Sequence, residues 1–448
     1  MSTSPQAIAA APAFARRTSA LGAYCAALGY FLFFSMLFLP SVYKPFKGTL
    51  LAICLFIVFM RFATRGKLDL HPTVVAWTLG LVIMSALFMM YGFVRGSPGA
   101  LRVGTTYILW PLVYTALVSG LAQFKLLLGL VRVHVVAACA ISLYALSYIL
   151  SSAGWIPEFL YIELDLDQAI GFREGYVGFR LLSLKSLLFQ GPFLVALLMT
   201  APRELQRRLP TTWLWIAAGL VTIATAMSSR RALLLVLAMS PGITMVVRMF
   251  LPAAQRRQDF VRVRRFVAGG AIGLVLIVGF LGLVHDYDMQ AYLDMFLAGF
   301  AFDDVYQVTG ASIRRAQFEG LIAGWLDRPL IGWGHGSGCR YVASRGSEWP
   351  WAYEMAYLAL LHNTGLLGFL GYASGILWIF WKSTRIMRQG TLLSAMMVPV
   401  MTGTCCYLIA AATNPYLGSF DYIWVVFFPV AFINYWLLRG RRELAPLS

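Results

Sequence analysis

Two arginines stand side by side in the segment SSRR, residues 228–231, between two apolar stretches long enough to form helices. Guanidinium groups hold phosphate oxygens through paired hydrogen bonds and keep their charge. A turn between two membrane helices leaves little room for a solvated side chain, and a charge drawn into the bilayer costs about 2.5–3.5 kcal/mol. We therefore predict that Arg230, with Arg231 beside it, binds an anionic ligand at the membrane surface.

The segment SIRRAQFEGLIAGWLDRP, residues 312–329, has the pattern of a short amphipathic helix, with Ser312 as its N-cap and Pro329 beyond its end. Its apolar side chains recur at helical spacing, at Phe318, Leu321, Ile322 and Trp325. We expect this helix to lie along the membrane surface.

Arg314 and Gln317 are three residues apart and would share one face of that helix, with Arg315 adjacent. Arginines that converge from separate loops would build a cationic pocket suited to a lipid diphosphate. Alternatively, most of these arginines extend to lipid headgroups or pair with nearby acids. That second interpretation is favoured for Arg328, Arg340 and Arg345.

Glu354 is the candidate general base. It lies in WPWAYEM, residues 349–355, among aromatic residues that include Tyr353. An interfacial aromatic belt and a helix dipole would explain these residues equally well. His335, in the glycine-rich loop GWGHGSG, is the alternative base, whereas His362 is expected to be a core histidine bonded to a neighbouring helix.

The composition indicates that these residues belong to a membrane protein, because 60% of the 448 residues are hydrophobic and only 12% are charged. A spanning helix needs about 20 apolar residues, and the first apolar stretch is interpreted as an anchor rather than a removed signal. We predict an all-α polytopic membrane protein, a single domain over residues 1–448, with about twelve spans at 19–40, 46–63, 73–94, 103–121, 127–151, 184–200, 211–227, 232–251, 266–284, 354–381, 391–412 and 420–438.

Every second connection is rich in Lys and Arg, which indicates the cytoplasmic side. Both termini are then cytoplasmic, and two long loops, 152–183 and 285–353, lie on the other side of the membrane. The net charge of +17 is attributed to this asymmetry and to membrane lipids, and not to nucleic-acid binding.

No metal or cofactor is expected. The spaced acids of ELDLD, residues 163–167, and HDYD, residues 285–288, are interpreted as solvated loop charges. The glycines of residues 332–338 are expected to permit a tight turn and close backbone approach, and so to shape the loop.

Three segments resemble the O-antigen ligase and polymerase superfamily of bacterial membrane enzymes, the WaaL and Wzy proteins. SSRRALLL, residues 228–235, is similar to the family's Ser-Arg-rich turn. RPLIGWGHGSG, residues 328–338, resembles its glycine-rich loop, and YLALLHNTGLLGFL, residues 357–370, resembles the helix that follows. Arg180 resembles the arginine of the first long loop, and the Arg314–Gln317 pair the Arg-x-x-Gln of the second.

The resemblance implies a GT-C-like, inverting, metal-independent glycosyltransferase of the bacterial inner membrane that faces the periplasm. Its donor would be a glycan linked through diphosphate to undecaprenol, and its acceptor a sugar hydroxyl. Arg230, Arg314 and Arg180 would stabilise the departing diphosphate, with Arg231, Arg315, Gln317, His335 and Tyr353 near the substrate.

This chain departs from the ligase pattern because Glu354-Met355 stands where ligases usually have His-Asn. The form looks like that of exopolysaccharide-polymerase-like members, and it transfers the role of base to Glu354. A Wzy-type polymerase, working with a chain-length co-polymerase, is the first prediction. A ligase that uses lipid A-core as acceptor and an exporter of lipid-linked sugars are the alternatives.

Overall fold

The computed structural model describes most of the chain between residues 13 and 439. The described ranges are 13–164, 169–173, 176–256 and 310–439, with residues 263, 264, 266, 268–270 and 290, and without 41, 153, 155, 158, 160, 229, 254 and 345–347. Side chains are not described for 13–21, 169–180, 310 and 311.

The described residues are predominantly helical. The helices, numbered in chain order, are α1 Ala13–Phe38, α2 Lys44–Arg65, α3 Pro72–Val94, α4 Ala100–Gly104, α5 Trp110–Ser119, α6 Phe124–Ser152, α7 Leu187–Thr200, α8 Arg203–Arg208, α9 Thr211–Met227, α10 Arg231–Arg248, α11 Gly310–Leu326, α12 Ala356–Met387, α13 Leu392–Ala411 and α14 Trp424–Arg439. A π-helical turn, Thr105–Leu109, joins α4 and α5 into one span.

Within the described ranges, nine helices are long and apolar enough to cross a membrane. Two shorter apolar helices, Gly22–Phe38 within α1 and Thr211–Met227, coincide with two further predicted spans. The remaining predicted span, 266–284, lies mostly outside the described residues. The chain is therefore a polytopic membrane protein, as predicted.

Contacts between helices place the described helix ends that border the two long loops on one face of the bundle, which we call the long-loop face. Ser186, just before α7, donates a hydrogen bond to Leu37 at the end of α1. Tyr357, at the start of α12, donates one to Leu408 near the end of α13. Phe189, near the start of α7, lies against Gly403, in the second half of α13. The starts of α7 and α12 and the ends of α1 and α13 therefore lie on this face.

The core of the bundle forms around α7, of which every residue is buried. Its main neighbours are α10 and α13. Gly403 of α13 permits close packing, because a Cβ there would meet the ring of Phe189 of α7 at 2.9 Å. Small residues at such contacts let membrane helices approach closely.

The helix α12 is broken at Gly365, whose φ of 60° and ψ of −170° are not helical. The glycine-rich loop fills the break through main-chain hydrogen bonds. The N–H groups of Leu366 and Leu367 donate to Pro329 and Leu330 at 2.8 and 3.0 Å. In the other direction, Trp333 and Gly334 donate to the carbonyl oxygens of His362 and Asn363.

Glycines of the loop face glycines at the break in α12, near the end of α3 and just before α4. A Cβ on Gly332 would clash with the backbone around Gly365, and one on Gly334 or Gly336 with the backbone at Gly92 or Gly99. All three loop glycines have positive φ, at 64°, 92° and 75°, a conformation that only glycine adopts readily. The prediction that these glycines permit a tight turn and close backbone approach is confirmed.

Two local details differ from the sequence expectations. The helix α11 starts at Gly310 rather than after Ser312, so Ser312 is not its N-cap. Residues 169–173 and 176–180 form an antiparallel β-hairpin in the first long loop, with Ala169 opposite Arg180. The prediction of an all-helical chain missed this hairpin.

We expect Gly365→Ala to destabilise the protein by about 1–3 kcal/mol, because alanine resists a positive φ and its Cβ would overlap Leu330. The matched control is Gly80→Ala in α3, where a Cβ meets nothing within 4 Å. The thermal midpoint of the purified protein in detergent should fall only for Gly365→Ala. Equal midpoints for both variants would contradict this account of the break.

Candidate functional site

Arg314, Gln317 and Glu354 meet on the long-loop face. Nη2 of Arg314 lies 3.3 Å from Oε2 of Glu354 and donates a hydrogen bond to it. Oε1 of Gln317 accepts a hydrogen bond of 2.7 Å from the backbone N–H of Glu354. Arg314 and Gln317, one turn apart on α11, therefore bond to the carboxylate and to the main chain of Glu354, two residues before α12 begins.

Two hydrogen-bond donors in this cluster have no acceptor. Gln317 is fully buried, and its Nε2 makes no hydrogen bond. Nε of Arg314 is likewise buried and unbonded. Since a buried donor without an acceptor costs about 1–3 kcal/mol, and both donors belong to one helix face, an oxygen-rich ligand would complete the cluster.

The turn SSRR is shaped by the buried hydroxyl of Ser228. This Oγ donates to the carbonyl oxygen of Thr225 at 2.8 Å and accepts from the N–H of Arg230 at 3.3 Å. Arg230 is the extended N-cap of α10, and Arg231 is its first helical residue.

The two arginines are half-buried and lie at the N-terminus of α10, where a positive charge interacts unfavourably with the helix dipole. A helix N-terminus carries a partial positive charge and is stabilised by anions. The first turn of α10 holds no acidic residue. An anion at this terminus would be stabilised by the helix dipole and by both guanidinium groups.

Helix α13 connects this terminus to the Glu354 cluster. Tyr357, three residues after Glu354, bonds to Leu408 of α13 at 2.6 Å. Cys406, two residues earlier on α13, contacts the carbonyl oxygen of Val236 of α10. The start of α10 and the start of α12 therefore flank the same end of α13.

Sequence reasoning missed two cationic residues of the long-loop face, since it considered only arginines there. Lys185, five residues after Arg180, lies with its Nζ 5.9 Å from the ring centre of Tyr422. Lys47 is buried, 3.8 Å from the carboxylate of Asp421. The sequence does show both lysines next to the start of a predicted helix, Lys47 in KPFK and Lys185 in SLKS, and this position could have identified them.

Two other predicted site residues, Arg315 and Tyr353, bond to groups outside the cluster of Arg314, Gln317 and Glu354. Arg315 is exposed and pairs with Glu319 on its own helix at 3.2 Å. Tyr353 is buried; its hydroxyl donates to Pro350 and accepts from the N–H of Cys339, and burial raises its pKa. Tyr353 braces the loop and does not line an open site.

His335 is also inside the protein. It is 1% exposed, its Nε2 is 2.9 Å from the hydroxyl of Tyr372, and its ring stacks on Tyr107 of the π-helical turn at 5.3 Å. Burial lowers its pKa to about 4. A substrate hydroxyl could not reach this ring without rearrangement of the loop, so the placement disfavours His335 as the base.

His362 is buried, as predicted, but its partner is not on a neighbouring helix. Its Nδ1 is 3.1 Å from Oδ1 of Asn363, the next residue of α12. The same amide oxygen accepts a hydrogen bond from Ser337. His362 thus helps to hold the glycine-rich loop against the broken helix.

The side chains of Arg180 and Arg345, and residues 285–289 and 291–309 of the second long loop, lie outside the described residues. In the part of the chain that is described, no three His, Cys, Asp or Glu side chains gather closely enough to hold a metal ion.

The fold defines a polytopic helical membrane protein with a polar cluster at one end of the bundle. No protein-family model matches the chain, and no curated protein is significantly similar to it.

The buried His335 predicts a pH dependence of stability. A histidine whose pKa is lowered from 6.5 to about 4 on folding binds its proton more readily in the unfolded chain, so stability is lost as the pH falls from 6.5 towards 4. At pH 5 the loss is about 2 kcal/mol. His335→Gln should lose less thermal stability than the wild type between about pH 7 and 5.

Tyr372→Phe is the control, because it removes the partner of His335 and leaves the titrating ring in place. Its thermal midpoint should fall with pH at least as steeply as that of the wild type. Parallel pH curves for the wild type and His335→Gln would contradict the prediction.

Proposed function

We propose that the protein is a membrane glycosyltransferase that transfers a glycan from an undecaprenyl-diphosphate carrier to a sugar hydroxyl. The observation that carries the proposal is the convergence of Arg314, Gln317 and Glu354, in which a carboxylate lies beside buried donors that lack an acceptor. Diphosphate oxygens suit those donors, and a carboxylate suits removal of a hydroxyl proton.

The reaction balances with these residues alone. The acceptor oxygen forms a bond to the anomeric carbon while the bond from that carbon to the diphosphate breaks, and its electron pair leaves with the diphosphate. Glu354 takes the proton of the acceptor hydroxyl. Attack opposite the leaving group inverts the anomeric centre, and Arg314 stabilises the charge that grows on the diphosphate.

The start of α10 supports the same chemistry. Arg230 and Arg231 place two guanidinium groups at the positive end of a helix. Such an arrangement suits a ligand with two or more phosphate charges better than a single carboxylate.

The distribution of basic residues supports a site on the non-cytoplasmic side. The face opposite the long loops carries Arg61 and Arg65, paired with Asp69, and Arg385 and Arg388 at the end of α12. Under the positive-inside rule that face is cytoplasmic, and the long-loop face is periplasmic in a bacterial inner membrane.

Within this class we favour a polymerase, because a glutamate rather than a histidine stands before α12 and contacts Arg314. A polymerase would use a second lipid-linked repeat unit as acceptor, and a ligase would use lipid A-core. Purified protein should be given each acceptor with the same donor. Longer lipid-linked glycans support the polymerase, and lipid A-linked glycans alone would show a ligase.

We expect Glu354→Gln to reduce product formation about 100-fold or more, since it removes the base. Arg314→Ala and Arg230→Ala should cause losses of about the same size through weaker stabilisation of the leaving group. Transfer of labelled glycan by reconstituted protein is the measurement.

Arg340→Ala is the matched control, because Arg340 lies in the same loop but pairs with Asp327 on an exposed surface. It should keep its activity. Full activity in Glu354→Gln would remove the proposed base. Movement of the lipid-linked glycan across the membrane without a new glycosidic bond would favour an exporter.

A further inference from the structure

Two arginines meet at one tryptophan ring at the end of α3. The guanidinium carbons of Arg95 and Arg328 lie 5.2 and 4.5 Å from the centre of the Trp333 ring. Nη1 of Arg328 also donates a 2.8 Å hydrogen bond to the hydroxyl of Tyr91, and Arg95 lies 5.7 Å from the centre of that ring. Two cationic groups are thus held on one aromatic support.

This pair of cations has no acidic counterpart among the described residues, where no carboxylate lies within 4 Å of Arg95 or Arg328. Asp327, next to Arg328 in sequence, is engaged by Arg340 at 3.0 Å and by the hydroxyl of Tyr341 at 3.3 Å. Aromatic rings orient the guanidinium groups but do not neutralise them. A bound anion would.

The surroundings of this pair are apolar and exposed. Phe93 and Val94, which end α3, are 55% and 79% exposed, and Leu330 and Ile331 are 59% and 44% exposed. These side chains belong to a membrane-spanning helix and to the loop packed against the broken α12. A ligand that fits both features has a negatively charged head and an apolar chain.

The pair is separate from the proposed reaction site. Arg314 is in the first turns of α11, and Arg328 follows the end of that helix. Leu326, the last residue of α11, is twelve residues after Arg314, which corresponds to about 18 Å of helix. The two groups of cations therefore lie at opposite ends of α11.

We propose that Arg95 and Arg328, held by Trp333 and Tyr91, bind the phosphate headgroup of an anionic phospholipid whose acyl chains lie against Phe93, Val94 and Leu330. Guanidinium groups suit the phosphodiester, and the exposed apolar side chains suit the chains. The site does not depend on the proposed glycosyl transfer.

Phosphatidylglycerol and phosphatidylcholine with identical acyl chains are the probes. In detergent, phosphatidylglycerol should raise the thermal midpoint of the wild type more than phosphatidylcholine does, and native mass spectrometry should show it as the preferred bound lipid. Arg95→Gln and Arg328→Gln should each weaken its binding about tenfold, since each loses one charge-assisted contact.

Arg102→Gln removes a different exposed arginine, one that rests on the ring of Trp349, and leaves Asp327 paired with Arg340. It should leave the preference for phosphatidylglycerol intact. An equal loss in this control would show a general charge effect and overturn the site. So would equal binding of the two lipids by the wild type. If inorganic phosphate at millimolar concentration stabilised the wild type as much as the lipid, the site would bind a free anion and the lipid assignment would fail.

Discussion

The main-chain pairing between the glycine-rich loop and the broken helix α12 is the constraint on which the long-loop face depends. Inside a bilayer an unpaired backbone group costs several kcal/mol, so irregular chain is tolerated only where protein satisfies it. The break at Gly365 would free such groups, and Pro329, Leu330 and Trp333 bond to them. One set of hydrogen bonds therefore holds the segment that follows α11 against the break in α12, and this constrains how far Arg314 lies from Glu354.

The same pairing explains the sequence GWGHGSG better than a phosphate-binding loop does. Its glycines face backbone atoms of α3, α4 and α12, and its histidine enters the protein beside Tyr107 and Tyr372. The π-helical turn that carries Tyr107 precedes Pro111, which has no N–H to offer the carbonyl oxygen of Tyr107. A proline in the sequence thus contributes to the stacking surface of a buried histidine.

Hydropathy predicted most helix positions because each span is a local property of about 20 residues. Local spacing also predicted that Arg314 and Gln317 share one face of a helix, because they are three residues apart. The break at Gly365 was not, because it depends on a loop about thirty residues earlier whose backbone happens to fit it. The hairpin was within reach, since AIGFR and YVGFR alternate around a Glu-Gly pair. The grouping of Arg95 with Arg328 could not be predicted, because the two are far apart in sequence and meet only at the ring of Trp333.

The arginines of the long-loop face differ in the groups that each one contacts, and these contacts distinguish them better than their positions in the loops do. Arg315 and Arg340 are exposed and pair with nearby acids, and such pairs contribute little to stability. Arg314 contacts an acid but keeps a buried nitrogen without an acceptor, and Arg95 and Arg328 rest on rings. A guanidinium group that is incompletely neutralised costs free energy, and a bound anion would offset that cost. On that reasoning α11 connects the two regions proposed to bind anions, and its length sets the distance between Arg314 at one end and Arg328 beyond the other.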